Sequence, residues 1–125
     1  MEEENRIASA IVNAGIRVHR ELGPGLLESA YQAVLAYVLI DEGFKVEQEK
    51  TQPVYFEGKR IDCGYRIDLM INEKVIVELK AVERLSNIHT AQVLTYLKLS
   101  GCKLGILLNF NVRLLKHGIK RIINT

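Results

Sequence analysis

The sequence predicts an α/β domain with an α+β-like order: helices first, then a mixed central sheet that contains an antiparallel meander, and one crossover helix. Three observations predict it. Residues 3 to 42 carry apolar side chains at helical spacing, interrupted once by Gly23-Pro24-Gly25. Residues 44 to 80 alternate with period two between polar turns, the signature of half-buried strands. After Lys80 the period returns to 3.6 and then gives way to the apolar run Leu104-Gly105-Ile106-Leu107-Leu108. A strand, a helix and a strand in that order predict a crossover, with the last strand parallel to the one before the helix.

The first helix, residues 3 to 22, presents Ile7, Ile11, Ala14, Val18 and Leu22 as one stripe. His19 falls in its last turn, where a cationic side chain complements the helix dipole. Pro24 cannot continue the helix, and its glycine neighbours permit a turn. A second helix is expected from about Leu26 to Glu42, with Leu27, Ala30, Tyr31, Val34, Leu35, Val38 and Leu39 as a broad buried face and Gly43 as its stop. Strands follow around Phe44–Gln48 and Val54–Phe56, with a turn at Glu57-Gly58-Lys59 and a bend or bulge at Gly64. The meander closes on a hairpin, Ile67–Ile71 and Val75–Leu79, turned through Asn72, Glu73 and Lys74. Beyond it, Ser86 or Asn87 can cap a helix carrying Ile88, Ala91, Leu94 and Leu97, and Gly101 ends that helix. Gly118 to Ile123 adds an edge strand.

At 125 residues the chain is one domain, residues 1 to 125, with a single core. No apolar run approaches the ~20 residues of a membrane-spanning helix. The acidic start Met1-Glu2-Glu3-Glu4 lacks the basic and apolar regions of a secretory signal. Cys63 and Cys102 have no metal-type spacing and read as free thiols, so a cytoplasmic location is expected. A formal charge of +2 permits nucleic-acid binding without announcing it.

The hairpin carries the chemistry. Its apolar residues share a face when Ile71 pairs with Val75, Leu69 with Val77 and Ile67 with Leu79. That register sets Asp68 opposite Glu78, with Lys80 two residues further on the same face. Opposed carboxylates repel and raise a pKa unless a cation relieves them. Mg²⁺, typically held by one or two carboxylates with water and phosphate oxygens, would do so. The other reading is an ion cluster on a wet strand face, and the hairpin alone leaves both open. Glu28 has its own plain reading as a first-turn acid that offsets the macrodipole or closes a capping box. Gln92 and Tyr96, four apart, share one side of the crossover helix, with Tyr96 packing in the core.

Asp68, then Glu78-Leu79-Lys80, then Gln92 and Tyr96, on this order of elements, resembles the PD-(D/E)xK nuclease superfamily and its restriction-endonuclease-like core. Within it, Gly25-Leu26-Leu27-Glu28-Ser29-Ala30-Tyr31 matches the motif that names the GxxExxY protein family. Val18–Pro24 and Tyr96–Gly101 are also similar to that family, and the likeness spans about residues 6 to 123. Ile67 stands where the motif's proline would be, a position the superfamily often varies. The resemblance implies that Asp68 and Glu78 bind a metal, that Glu28 completes the metal site, and that Lys80 orients the attacking water and stabilises the developing charge. Gln92 and Tyr96 match a Gln-x-x-x-Tyr element found behind the active site in several nuclease lineages.

The function so implied is Mg²⁺-dependent (or Mn²⁺-dependent) hydrolysis of phosphodiester bonds, in DNA ahead of RNA, by metal-activated water. The alternative is a catalytically inactive nucleic-acid-binding or scaffold protein that keeps the fold. A third reading is a subunit whose edge strand pairs with a twin or a protein partner. Backbone-binding candidates are Lys98, Lys103, Arg113, Lys116, Lys120 and Arg121, each also an ordinary surface cation. No base-reading motif is present, so sequence-specific recognition is not expected.

Overall fold

Two helices, a sheet and a third helix stack in layers, and the computed structural model describes all residues, 1–125. The helices are α1 (Glu2–Leu22), α2 (Glu28–Asp41) and α3 (Asn87–Ser100). The strands are β1 (Val46–Thr51), β2 (Val54–Phe56), β3 (Lys59–Ile61), β4 (Arg66–Ile71), β5 (Val75–Lys80), β6 (Leu104–Asn109) and β7 (Ile119–Ile123), with a 3-10 turn at Leu115–Gly118. The main sheet has the order β1-β4-β5-β6-β7. The β5–β6 pair is parallel, with α3 as the crossover, and the other neighbours are antiparallel. The α+β order and mixed sheet therefore stand as expected, and β7 does take the edge.

The simple meander does not form. β1 pairs with β4, and β2 pairs only with β3, as a separate hairpin that leaves the sheet between them. Three-residue strands facing solvent on both sides cannot bury enough to displace β4 from β1.

The sheet separates two cores. α1 and α2 cover one face, against Leu69, Ile71, Val75, Val77, Leu79, Leu104, Ile106 and Leu108. α3 covers the other through Val93, Tyr96 and Leu97, against Ile67, Met70, Ile76 and Leu107. β5 and β6 are thus buried on both sides, as a central strand in a covered sheet must be. Gly105 is where α3 comes closest, since a Cβ there would lie 2.6 Å from the Val93 side chain.

Three expectations about faces need correction. Ile67 does not share a face with Leu69 and Ile71: it joins the core beneath α3. The regular pleat of the neighbouring β1 is interrupted opposite this point, where Glu49 takes φ 51 between the Gln48–Leu69 and Lys50–Ile67 pairs. Leu22 is 39% exposed and Leu27 76%, so the α1 stripe ends at Val18 and α2 buries only its Tyr31, Leu35, Val38 and Leu39 side. The Glu78 side of the hairpin is not wet either, because α3 lies over it and leaves Glu78 3% exposed.

The connections that frame one end of the sheet are polar and specific. Asn109, at the end of β6, is buried; its Nδ2 donates to Val82 O (2.9 Å) and its Oδ1 accepts from Val82 N (3.1 Å) and Asn111 N (3.2 Å). Phe110 N donates to Lys80 O at 2.9 Å. Gly118 packs so close to the Asn109 carbonyl that no side chain fits there. Together these contacts hold the chain after Lys80 in place.

Candidate metal and phosphodiester site

The predicted hairpin register holds near the turn, where Ile71 pairs with Val75, Met70 with Ile76 and Leu69 with Val77, but the expected Ile67–Leu79 pair does not form and those two side chains enter opposite cores. Beyond Leu69–Val77 the ladder gives way to side chains. Glu78 Oε2 accepts from the Asp68 backbone N–H at 2.7 Å, and Asp68 Oδ2 accepts from the Leu79 N–H at 2.9 Å. Each carboxylate bonds the opposite strand's backbone, so the two strands open around a pair of acids. Their remaining oxygens, Asp68 Oδ1 and Glu78 Oε1, carry no hydrogen bond.

The electrostatics follow from that placement. Burial is the main cause that pushes the Glu78 carboxyl up to about 8, and the neighbouring Asp68 charge adds to it. Asp68 is also raised, first by burial, with smaller contributions from Glu49 and Glu28, while the Leu79 N–H and Lys80 pull it down. Neither acid forms a salt bridge: the protein's five ion pairs all lie elsewhere. Lys80, half-buried on the same strand, acts on both acids without a direct contact. Tyr96 is buried beside them, and burial followed by the Glu78 and Asp68 charges raises its hydroxyl to about 12. Gln92 lies against the Tyr96 hydroxyl and offsets this slightly.

Five of the six predicted residues thus meet at one end of β4 and β5: Asp68, Glu78, Lys80, Gln92 and Tyr96. Lys80, Gln92 and Tyr96 also line an open cleft with Tyr65 and His89. Glu28 is the outlier. It is exposed at the first residue of α2, makes no capping hydrogen bond, and reaches Asp68 only through its charge. No three Asp, Glu, His or Cys side chains come together in a metal-holding group. The donor set still suits a hard divalent cation: two carboxylates, each with one free oxygen, in a half-dry site that burdens both with unrelieved charge.

The Tyr31 of the Gly25–Tyr31 motif has a structural role that its position in the sequence does not reveal. It is fully buried and stacks on Phe110, with ring centroids 4.4 Å apart and planes at 14°. Its hydroxyl donates to Gly23 O at 2.5 Å and accepts from Leu26 N at 3.1 Å, pinning the turn that delivers Glu28. His19 lies in the last turn of α1 as expected, and it also makes a tertiary contact. It is buried, and its Nε2–H donates to Phe110 O at 3.1 Å, which ties α1 to the end of β6.

Sequence reasoning did not find Asn109, Tyr65 or His89. A lone polar residue ending the run Leu104–Leu108 was the one available hint for Asn109. Tyr65 stands edge-on to Tyr96 at 6.1 Å, a contact across 31 positions that no local pattern encodes. His89 accepts from Ser86 N at 3.0 Å through Nδ1, which completes a capping box normally built with Glu or Gln.

The family model of the PD-(D/E)XK nuclease superfamily matches residues 5–122. A solved structure described as "Crystal structure of SSO0001" is 20% identical, with a TM-score of 0.49 over 91% of this chain, which spans 65% of that one. No curated protein matches the chain. With nearly its whole length matched, the chain belongs to the PD-(D/E)XK nuclease superfamily.

Proposed function

We propose that this protein is a divalent-metal-dependent nuclease that hydrolyses phosphodiester bonds, with DNA ahead of RNA as substrate. The observation that carries this reading is the Asp68–Glu78 pair. Glu78 is buried and Asp68 half-buried beside it; the two repel, lack a cationic contact, and each keeps one oxygen free. Evolution of a core for stability alone would not favour two such groups side by side. A bound Mg²⁺ or Mn²⁺ supplies a Lewis acid and a more acidic water.

The chain's own residues have separable tasks. Asp68 and Glu78 would hold the cation through their free oxygens. Glu28, exposed at the start of α2, would act on it from outside the ligand set. The Lys80 ammonium donates to the attacking water and to the non-bridging oxygens as negative charge develops on phosphorus. Tyr96 stays protonated at all physiological pH and donates from behind the acids, with Gln92 fixing its direction. Within the superfamily, the Gly25–Tyr31 segment supports placement in the GxxExxY family.

The test is cleavage of single-stranded, duplex and branched DNA and of RNA, with Mg²⁺ or Mn²⁺. Activity abolished by EDTA and by Glu78→Ala and Lys80→Ala is the expected result, and a protein inert on every substrate with both metals would end the proposal. One observation favours a second reading, a binding protein that keeps the fold without turnover: no third acid joins the pair at ligating distance. That protein would bind nucleic acid equally well with and without EDTA.

A further inference from the structure

On the other side of the sheet's end from the cleft, an open groove of about 530 Å³ lies between the last turn of α1 and the segment after β6. Arg20 stands on one wall, and Arg113 and Lys116 on the other. All three are exposed, none is in an ion pair, and no carboxylate lines the groove. Ile16 and Leu115 supply apolar surface between the cations, and Leu114 is 45% exposed at the rim. Three unpaired cations facing one concavity repel unless an anion lies between them.

The groove's position relates it to the carboxylate site. Phe110, bonded through its N–H to Lys80 O, is three residues before Arg113, at most ~11 Å of extended chain. Gly23, on the opposite wall, is five residues before Glu28. The two walls of the groove are thus short stretches of chain away from the Lys80 backbone and from Glu28.

We propose that this groove binds the phosphate backbone of a single nucleic-acid strand that continues into the Asp68–Glu78–Lys80 site. The cations contact phosphates, and Ile16 and Leu114 contact sugars and bases. The substrate side of this inference rests on the nuclease reading above, whereas the binding claim stands separately. A groove of about 530 Å³ is the size of a small-ligand cleft, which suits the width of a single strand.

The experiment is fluorescence anisotropy of a labelled oligothymidylate in EDTA, where turnover cannot intrude, over a range of salt concentrations. Arg113→Glu/Lys116→Glu should weaken binding at least tenfold. The neutral pair Arg113→Gln/Lys116→Gln should lower the slope of log affinity against log salt by about 1.4, for two phosphate contacts on a single strand. Arg6→Glu/Lys59→Glu changes the net charge equally at exposed cations outside the groove and should leave affinity within about twofold, a small effect against the tenfold loss expected of a real contact. Equal weakening by both charge-reversed pairs, an unchanged slope in the neutral pair, tighter binding of duplex than of single strand, or no binding by the wild type would each overturn the proposal. A wild type that binds through Arg113 and Lys116 yet never cleaves would sustain the groove and refute the nuclease reading.

Discussion

Replacing Glu78 by Gln should make the metal-free protein more stable at alkaline pH while removing its metal response. The reasoning starts from the folded carboxyl at about 8, against an ordinary value of 4.5. Between those values the folded chain keeps a proton that the unfolded chain has lost. Glu78 therefore costs nothing below pH 4.5, its cost grows as pH rises, and the cost is complete above about 8. At ~1.4 kcal/mol per pH unit the full cost is at most about 5 kcal/mol. The amide oxygen of the substituted side chain can still accept from the Asp68 N–H, but a neutral acceptor forfeits about 1–2 kcal/mol of that bond. The expected net gain for Glu78→Gln at pH 8.5 is thus at most about 3–4 kcal/mol, or roughly 11–15 °C in Tm for a chain of this size. Thermal unfolding in EDTA at pH 4.5, 6.5 and 8.5 measures it, and the gain should disappear at the lowest pH. Saturating Mg²⁺ should then raise the Tm of the wild type and leave the variant unmoved. A difference between the two proteins that does not change with pH would refute the reasoning, because it would mean that Glu78 ionises freely.

Four further outcomes are expected. Because a cation must displace the Glu78 proton, Mg²⁺ affinity measured by calorimetry should rise about tenfold per pH unit below about 8 and level off above it. Glu28→Ala should raise the Mg²⁺ concentration for half-maximal cleavage by about tenfold and spare most of kcat, the pattern of a residue acting from outside the ligand set; complete loss of cleavage would make Glu28 a direct ligand. Asn109→Leu leaves both Val82 backbone groups unpaired and should cost about 1–3 kcal/mol in urea unfolding. It should also lower kcat, since the chain beyond Lys80 loses its anchor. Gly105→Ala pushes a methyl into Val93 beneath α3 and should destabilise by about 1–3 kcal/mol, where an unhindered Gly→Ala change would stabilise slightly.

Local chemistry was sufficient for the elements and for the heart of the site. Apolar spacing marked the three helices and central strands, Gly101 ended α3 at φ 79 as expected, and the crossover order made β6 parallel to β5. The pairing of Asp68 with Glu78 was legible because alternation has period two: a register that buries Leu69 and Val77 necessarily opposes those acids. Long-range packing decided the rest, and no window of sequence contains it. α3 lying across the hairpin buried Glu78 and half-buried Asp68, and Ile67 joined the opposite core from Leu69. The clamp of His19, Tyr31 and Phe110 joins residues as far as 91 positions apart. The basic groove likewise brings Arg20 to Arg113 and Lys116, from segments that meet only because α1 packs against the end of β6. Spacing along the chain specifies which way neighbouring side chains point, whereas a desolvated charge or a shared cavity depends on what other segments place around it.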